Sequence, residues 1–378
     1  MHYEVISADC HIDLCWLPPD LFVSQASADL RNRMPFVQDG PLGPYWSTRA
    51  GAQLGLVNGM GSMGRPYKPG EIGRSDRMAA TGLYEDGRNG IRRISDPDLR
   101  LKDQDRDGVQ AEVLYGILGV GNRMHDPEAS AEVFRIYNDW LADFQRRHPQ
   151  RYAGLACVPN SDIATAVYET HRAAKLGLKG VVMALNATTM PMWDPAWEPL
   201  WAAAEACGLP LSFHTVGSLS HLQVVKPELQ RTAFAVYIIG FQLAVADFLT
   251  AMIFSGALER HPQLRIVLAE SGIGWIPYLL ERLDYEWEDQ FTDLPIRRKP
   301  SEYWRRQMFA TYQQDAAGIR MLDVLGEDNI MWGSDFPHPD GVWPDSRQYI
   351  QEQLGHLPEA TRRKLVRDNA AKLYGFGA

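Results

Sequence analysis

YEVISADCHID, residues 3–13, starts as an apolar run and ends in Asp9, Cys10, His11 and Asp13. Such a stretch is either a polar strand end facing water or half of a metal site, and the pattern around it decides the fold. Seven more β-rich runs follow: AEVLYGI (111–117), YAGLACV (152–158), LKGVVMA (178–184), LPLSFHT (209–215), LRIVLAE (264–270), QMFATY (307–312) and NIMWGSD (329–335). Most are continuously apolar, as strands covered on both faces of a parallel sheet are. Between most of them lie amphipathic stretches, at 128–149, 163–177, 197–208 and 272–291, whose apolar residues recur at three and four. Eight strands alternating mostly with helices predict an α/β fold, a (β/α)8 TIM barrel. A doubly wound open sheet is the competing architecture, and the lack of G-x-G-x-x-G after the first run counts against it.

Two stretches interrupt the alternation. A Gly-, Pro- and Met-rich insertion after strand one, residues 16–98, contains GLVNGMGSMGRPYKPGEIGR (55–74), and residues 216–232 are polar and irregular. Loops this long inside a compact domain usually act as lids or binding loops. With no internal repeat or low-complexity tail, residues 1–378 read as one barrel domain carrying this insertion.

Bulk properties exclude several function classes. A net charge of −9 without a basic block argues against nucleic acid as partner. Cys10, Cys15, Cys157 and Cys207 show no C-x-x-C spacing, so neither a zinc ribbon nor a disulfide framework is expected. Reduced thiols imply a cytoplasmic protein, and Asp9, His11 and Asp13 interrupt any N-terminal apolar leader. The most apolar segment, AFAVYIIGFQLAVA (233–246), is shorter than the roughly 20 residues that span a bilayer. It reads as a buried or partner-facing helix, and no membrane association is expected.

Barrel chemistry gathers at the C-terminal ends of the strands. Strand one ends in Asp9-Cys10-His11, with positions 9 and 11 on one side by alternation; strand five ends in His214, strand six in Glu270 and strand eight in Asp335. Each has an ordinary explanation by itself. Glu270 suits the first turn of a following helix, and GSDFPHPDG (333–341) suits a Pro- and Gly-rich turn with a capping Asp. Together, two imidazoles and three carboxylates at four matching strand ends suit a divalent metal, Zn, Mn or Fe, as one ion or two.

The chain resembles the amidohydrolase superfamily, in the branch containing aminocarboxymuconate-semialdehyde decarboxylase and the resorcylate-type decarboxylases. The likeness runs through SADCHID (7–13), LKDQDRDGVQAEVLYG (101–116), DPAWEPLWAAAEACGLPLSFH (194–214), LAESGIGWIPYLLERLD (268–284), GSDFPHPDG (333–341) and NAAKLYGF (369–376). It implies Asp9, His11, His214 and Asp335 as metal ligands, with Asp335 also accepting a proton from metal-bound water. Decarboxylating relatives usually carry a histidine on strand six, where this chain has Glu270. Glu270 then serves as general acid or base, or as a further metal ligand, while His338 supplies the missing imidazole or hydrogen-bonds within its turn. Asp13 either orients His11 or caps a turn.

The leading expectation is a metal-dependent hydrolase, with decarboxylation second, acting on a bulky, partly apolar organic acid or amide through Asp335, Glu270 and His338. Trp16, Met60, Met63, Phe241 and the segment from Tyr237 to Leu243 are candidates to line the pocket. A non-haem diiron monooxygenase on the same barrel, with Glu270 as an extra iron ligand, is the rival. A binding protein without catalysis is a third reading, disfavoured by the intact ligand set. A homodimer through 233–246 and 128–149 is expected.

Overall fold

The computed structural model describes residues 2–185, 188–214 and 226–377. All eight expected runs form strands. They are β1 (Ile6–His11), β5 (Ala111–Tyr115), β6 (Tyr152–Val158), β7 (Gly180–Ala184), β8 (Leu211–His214), β9 (Ile266–Ala269), β10 (Met308–Tyr312) and β11 (Ile330–Trp332). They pair in parallel in the order β1-β5-β6-β7-β8-β9-β10-β11. Every residue of β1 and of β5 through β9 is buried, which is why most of those runs are apolar apart from the site residues at their ends.

Amphipathic helices wrap the outside. Pro127–Arg147 starts where the Asp126 side chain accepts the Ala129 N–H, and Ile163–Leu176 starts with the same bond from Asp162 to Thr165. Ile163–Leu176 and Glu198–Cys207 end at Gly177 and Gly208, both left-handed. Eight parallel strands thus form a nearly closed (β/α)8 barrel.

The seam lies between β1 and β11. No ladder joins them, and the closing bonds come from the turn after β11. Phe336 O accepts His11 N–H at 2.7 Å, Asp9 O accepts Asp335 N–H at 2.8 Å, and Ser7 Oγ accepts Ser334 N–H at 2.8 Å. Gly333 makes this approach feasible, because a Cβ there would stand 2.5 Å from Asp9 Cβ. On its other side β1 carries a bulge: Ser7 pairs with Glu112 but Cys10 pairs with Leu114. The extra residue re-aims the bulged segment, which includes Asp9.

The 16–98 insertion has secondary structure of its own. β2 (Phe36–Gln38), β3 (Tyr45–Ser47) and β4 (Gln53–Leu56) make an antiparallel sheet, followed by helices Gly73–Ala80 and Leu83–Arg88. The apolar segment at 233–246 belongs to a longer helical run than the sequence predicts. Pro227–Phe254 spans 28 residues and is long and apolar enough, by length and composition, to cross a membrane. Its second half, Val245–Phe254, packs on the barrel with Phe248, Leu249, Met252 and Ile253 buried. Of the stretch expected to be irregular at 216–232, residues 216–225 lie outside the described residues, and 227–232 are not irregular but form the first turns of this helix.

Replacing Gly333 by Ala forces β1 and the strand-eight turn apart. We expect a loss of about 1–3 kcal/mol in stability, read as a lower thermal midpoint together with weakened metal retention. An unchanged midpoint would remove the seam from this account.

Candidate metal centre

Four strand ends bring the predicted side chains to one place. His11 Nε2 lies 3.2 Å from Asp9 Oδ1 and 3.2 Å from Asp335 Oδ1. The His11 and His214 rings meet edge to face with centroids 5.0 Å apart. Glu270 Oε2 is 3.4 Å from His214 Nε2. All five of these residues and His338 are buried.

The donors fall into two overlapping nests, Asp9-His11-His214 and His11-Glu270-Asp335-His338, in each of which one ligand atom per residue lies within 4.8 Å of the others. Asp9 Oδ1, His11 Nε2 and Asp335 Oδ1 are buried close together without hydrogen-bond partners. Buried polar atoms left this way are costly unless something else satisfies them. A divalent cation would satisfy them together, and the mixed nitrogen and oxygen donors suit one.

The other oxygen of Asp9 is fully engaged. Thr311, on β10, donates its hydroxyl to Asp9 Oδ2 at 2.7 Å, and Glu270 N–H reaches the same oxygen at 3.0 Å and Thr311 Oγ1 at 2.7 Å. Thr311 therefore fixes the direction in which Oδ1 points. Thr311 was not among the expected site residues, although its place near the C-terminal end of a barrel strand is a signal legible in the sequence. Glu270 and Asp335 adopt left-handed backbone, with φ of 47° and 56°. Non-glycine residues held so cost on the order of 1–3 kcal/mol and mark sites where geometry outweighs comfort.

His338 bridges two acids, with Nδ1 2.9 Å from Asp335 Oδ1 and Nε2 2.8 Å from Asp13 Oδ2. Its ring also stacks on His11, with centroids 4.0 Å apart. Asp13 accordingly orients His338 rather than His11, whose Nδ1 is 3.9 Å away. Nor does Asp13 cap the turn that follows it, which shows no side-chain cap bond.

Electrostatics separate the carboxyls. Burial first, then the Asp335 charge, push Glu270 well above the usual carboxylate range. Burial also opposes ionisation of Asp335, but His338 and His11 outweigh it and hold Asp335 low. Burial works against the charge on His338, and the Asp335 and Asp13 carboxylates reverse this and raise it. Asp340, a half-buried acid on the cavity wall, is raised by burial and by Asp335.

A cavity of about 110 Å³ opens above the cluster. His11, His214, Glu270, His338 and Asp340 form part of its wall, along with Met63, Phe234, Tyr237 and Phe241. Met63 and Phe241 thus take the expected lining place. Trp16 and Met60 do not; both are buried in the core. The insertion contributes Gly61, Ser62, Met63 and Arg65.

The amidohydrolase family model matches residues 8–376. The 2-amino-3-carboxymuconate-6-semialdehyde decarboxylase of Dictyostelium discoideum is 24% identical over 288 residues, 74% of this chain and 77% of that one. The γ-resorcylate decarboxylase of Rhodococcus jostii is 26% identical over 299 residues, 73% of this chain and 87% of that one. A 5-carboxyvanillate decarboxylase from Novosphingobium aromaticivorans, solved with manganese and 4-hydroxy-3-methoxy-5-nitrobenzoic acid, superposes with a TM-score of 0.69 at 19% identity, covering 99% of this chain and 96% of that one.

Substituting Thr311 by Val removes the donor to Asp9 without changing side-chain volume much. Metal affinity should fall about 10- to 100-fold with the fold intact, as measured by competition titration with manganese. Unaltered affinity would deny Thr311 any hold on the site.

Proposed function

The chain belongs to the amidohydrolase family, and we propose that this metal-dependent enzyme is a carboxy-lyase, removing carbon dioxide from a small, partly apolar organic acid. The observation that carries the reading is the two buried donor nests that share His11, Asp9-His11-His214 and His11-Glu270-Asp335-His338, under a largely apolar cavity, in a chain whose relatives named above are decarboxylases. Sequence alone favours hydrolysis over decarboxylation, and the relatives reverse that order. Asp9, His11, His214 and Asp335 are the residues that would hold the metal, which when bound supplies a Lewis acid to polarise and orient the substrate's oxygen atoms.

The chain's own groups supply the proton chemistry. Departure of carbon dioxide breaks a C–C bond and leaves its electron pair on carbon, which must take up a proton. Glu270 lines the cavity beside His214, where relatives in this branch usually carry an imidazole, and its buried carboxyl favours the protonated, donating form. His338, held between Asp335 and Asp13, returns a proton to the site. The insertion and the helix Gln230–Gly240 wall the cavity through Met63, Phe234 and Tyr237, and so limit water around the carbanion.

A second reading rests on Glu270 belonging to the larger donor nest. With Glu270 and His338 helping to hold a second cation beside Asp335, the site would be that of a non-haem diiron oxygenase, with Glu270 a ligand instead of an acid. Glu270→Gln separates the two, with metal counting and carbon dioxide release measured on the same protein. The carboxy-lyase reading expects full metal with at least 100-fold slower release. A fall from two irons to one, with oxygen-dependent turnover in the unmutated enzyme, would establish the oxygenase in its place.

We also propose a homodimer. Val236, Ile239 and Leu243 on the cavity helix are 70%, 78% and 54% exposed, an apolar row that a second copy would cover. Ile239→Asp should shift the sedimentation coefficient from dimer to monomer. A monomer in the unmutated protein would end this proposal.

A further inference from the structure

Two guanidinium groups line the cavity, those of Arg65 and Arg123. Arg65 stacks over the Phe234 ring with its Cζ 5.1 Å from the centroid. Arg123 lies in the helix Leu118–Met124, and its Nε donates to Gly119 O at 3.1 Å, which fixes the plane of the guanidinium and leaves its two terminal amino groups for another acceptor.

The other arginines of the interior have carboxylates. Arg100 Nε is 2.6 Å from Glu112 Oε2, and Arg93 is paired with Asp103 and Asp86. Among the described residues, no carboxylate stands within ion-pair distance of Arg123 or Arg65. Asp13, whose charge Arg123 feels, is committed to His338 at 2.8 Å. Arg123 is half-buried and has no carboxylate at ion-pair distance, and burial pulls its pKa below the ordinary arginine value. Such a group at a cavity wall is satisfied when an anion enters.

We propose that Arg123 is the anion-recognition residue of this cavity, pairing with a carboxylate of the substrate other than the group presented to the metal cluster. The substrate class is therefore a dicarboxylic acid, or an acid with a second anionic substituent, on an apolar frame. This rests on the reading that the cavity takes an organic acid, and it goes further by assigning the second charge to one side chain. A planar fork held by Gly119 O suits a carboxylate in a two-bond approach, which fixes the orientation of the frame as well as its charge.

The test uses manganese-loaded enzyme and measures the dissociation constants of isophthalate and of its monomethyl ester, which share a ring and differ by one charge. The unmutated protein should bind the dianion about 10- to 100-fold tighter. Arg123→Gln should abolish that preference with manganese stoichiometry unchanged, and Arg65→Gln should keep most of it. Arg123→Met, which retains an unbranched apolar stem, repeats the measurement should the Gln variant not fold. No preference in the unmutated protein, a preference surviving in the Arg123 variants, or an equal loss in Arg65→Gln would overturn the assignment. Because the readout is binding, a charge preference that follows Arg123 without carbon dioxide release would overturn the proposed reaction and leave this inference standing.

Discussion

Two buried carboxylates, Asp9 and Asp335, face one imidazole, His11, across the seam where the first barrel strand meets the turn after the last. Carboxylates this close repel, and in a buried setting the repulsion is little screened. His338 and His11 offset part of this repulsion, and a cation between the carboxylates would offset more. Much of the local geometry serves closure of this seam. The bulge in β1 re-aims the segment carrying Asp9, Thr311 occupies the second oxygen of Asp9, and Gly333 lets the two chains approach. The left-handed backbone at Glu270 and Asp335 sits directly at these contacts.

These features are a local cost that the rest of the fold must carry. Unpaired buried donors and acceptors and two strained residues together remove several kcal/mol on the scale of ordinary interactions. Strands buried on both faces, each in a ladder with its neighbours, offset this around most of the barrel. The seam has no ladder, and cation binding there would couple to closure of the barrel, since a ligand that binds only the closed form stabilises it.

Above the cluster the charges are arranged by depth. Acids and imidazoles form the floor, apolar side chains from the insertion and the long helix form much of the wall, and two arginines interrupt that wall. The proposed organic acid would set its carbon frame against Met63, Phe234 and Phe241. Glu270 is the departure from the usual decarboxylase pattern. Burial and the Asp335 charge raise Glu270, the direction that the proposed proton delivery by a carboxyl in place of an imidazole requires.

The sequence by itself determined the barrel and the identity of the cluster. Strands buried on both faces must be continuously apolar, so all eight were visible as runs, and the rule that barrel chemistry sits at strand ends selected Asp9, His11, His214, Glu270 and Asp335. Local pattern also marked Met63 and Phe241, and it placed Trp16 and Met60 beside them although both belong to the core. Tertiary structure alone decided that Asp13 serves His338 and not His11, that Thr311 steers Asp9, that the apolar segment extends to Pro227–Phe254, and that among the described residues Arg123 has no carboxylate within ion-pair distance. The physical reason is range: periodicity records which face of an element is buried, whereas hydrogen bonds and charge pairing join residues as far apart as Asp13 and His338, whose meeting depends on how the barrel closes.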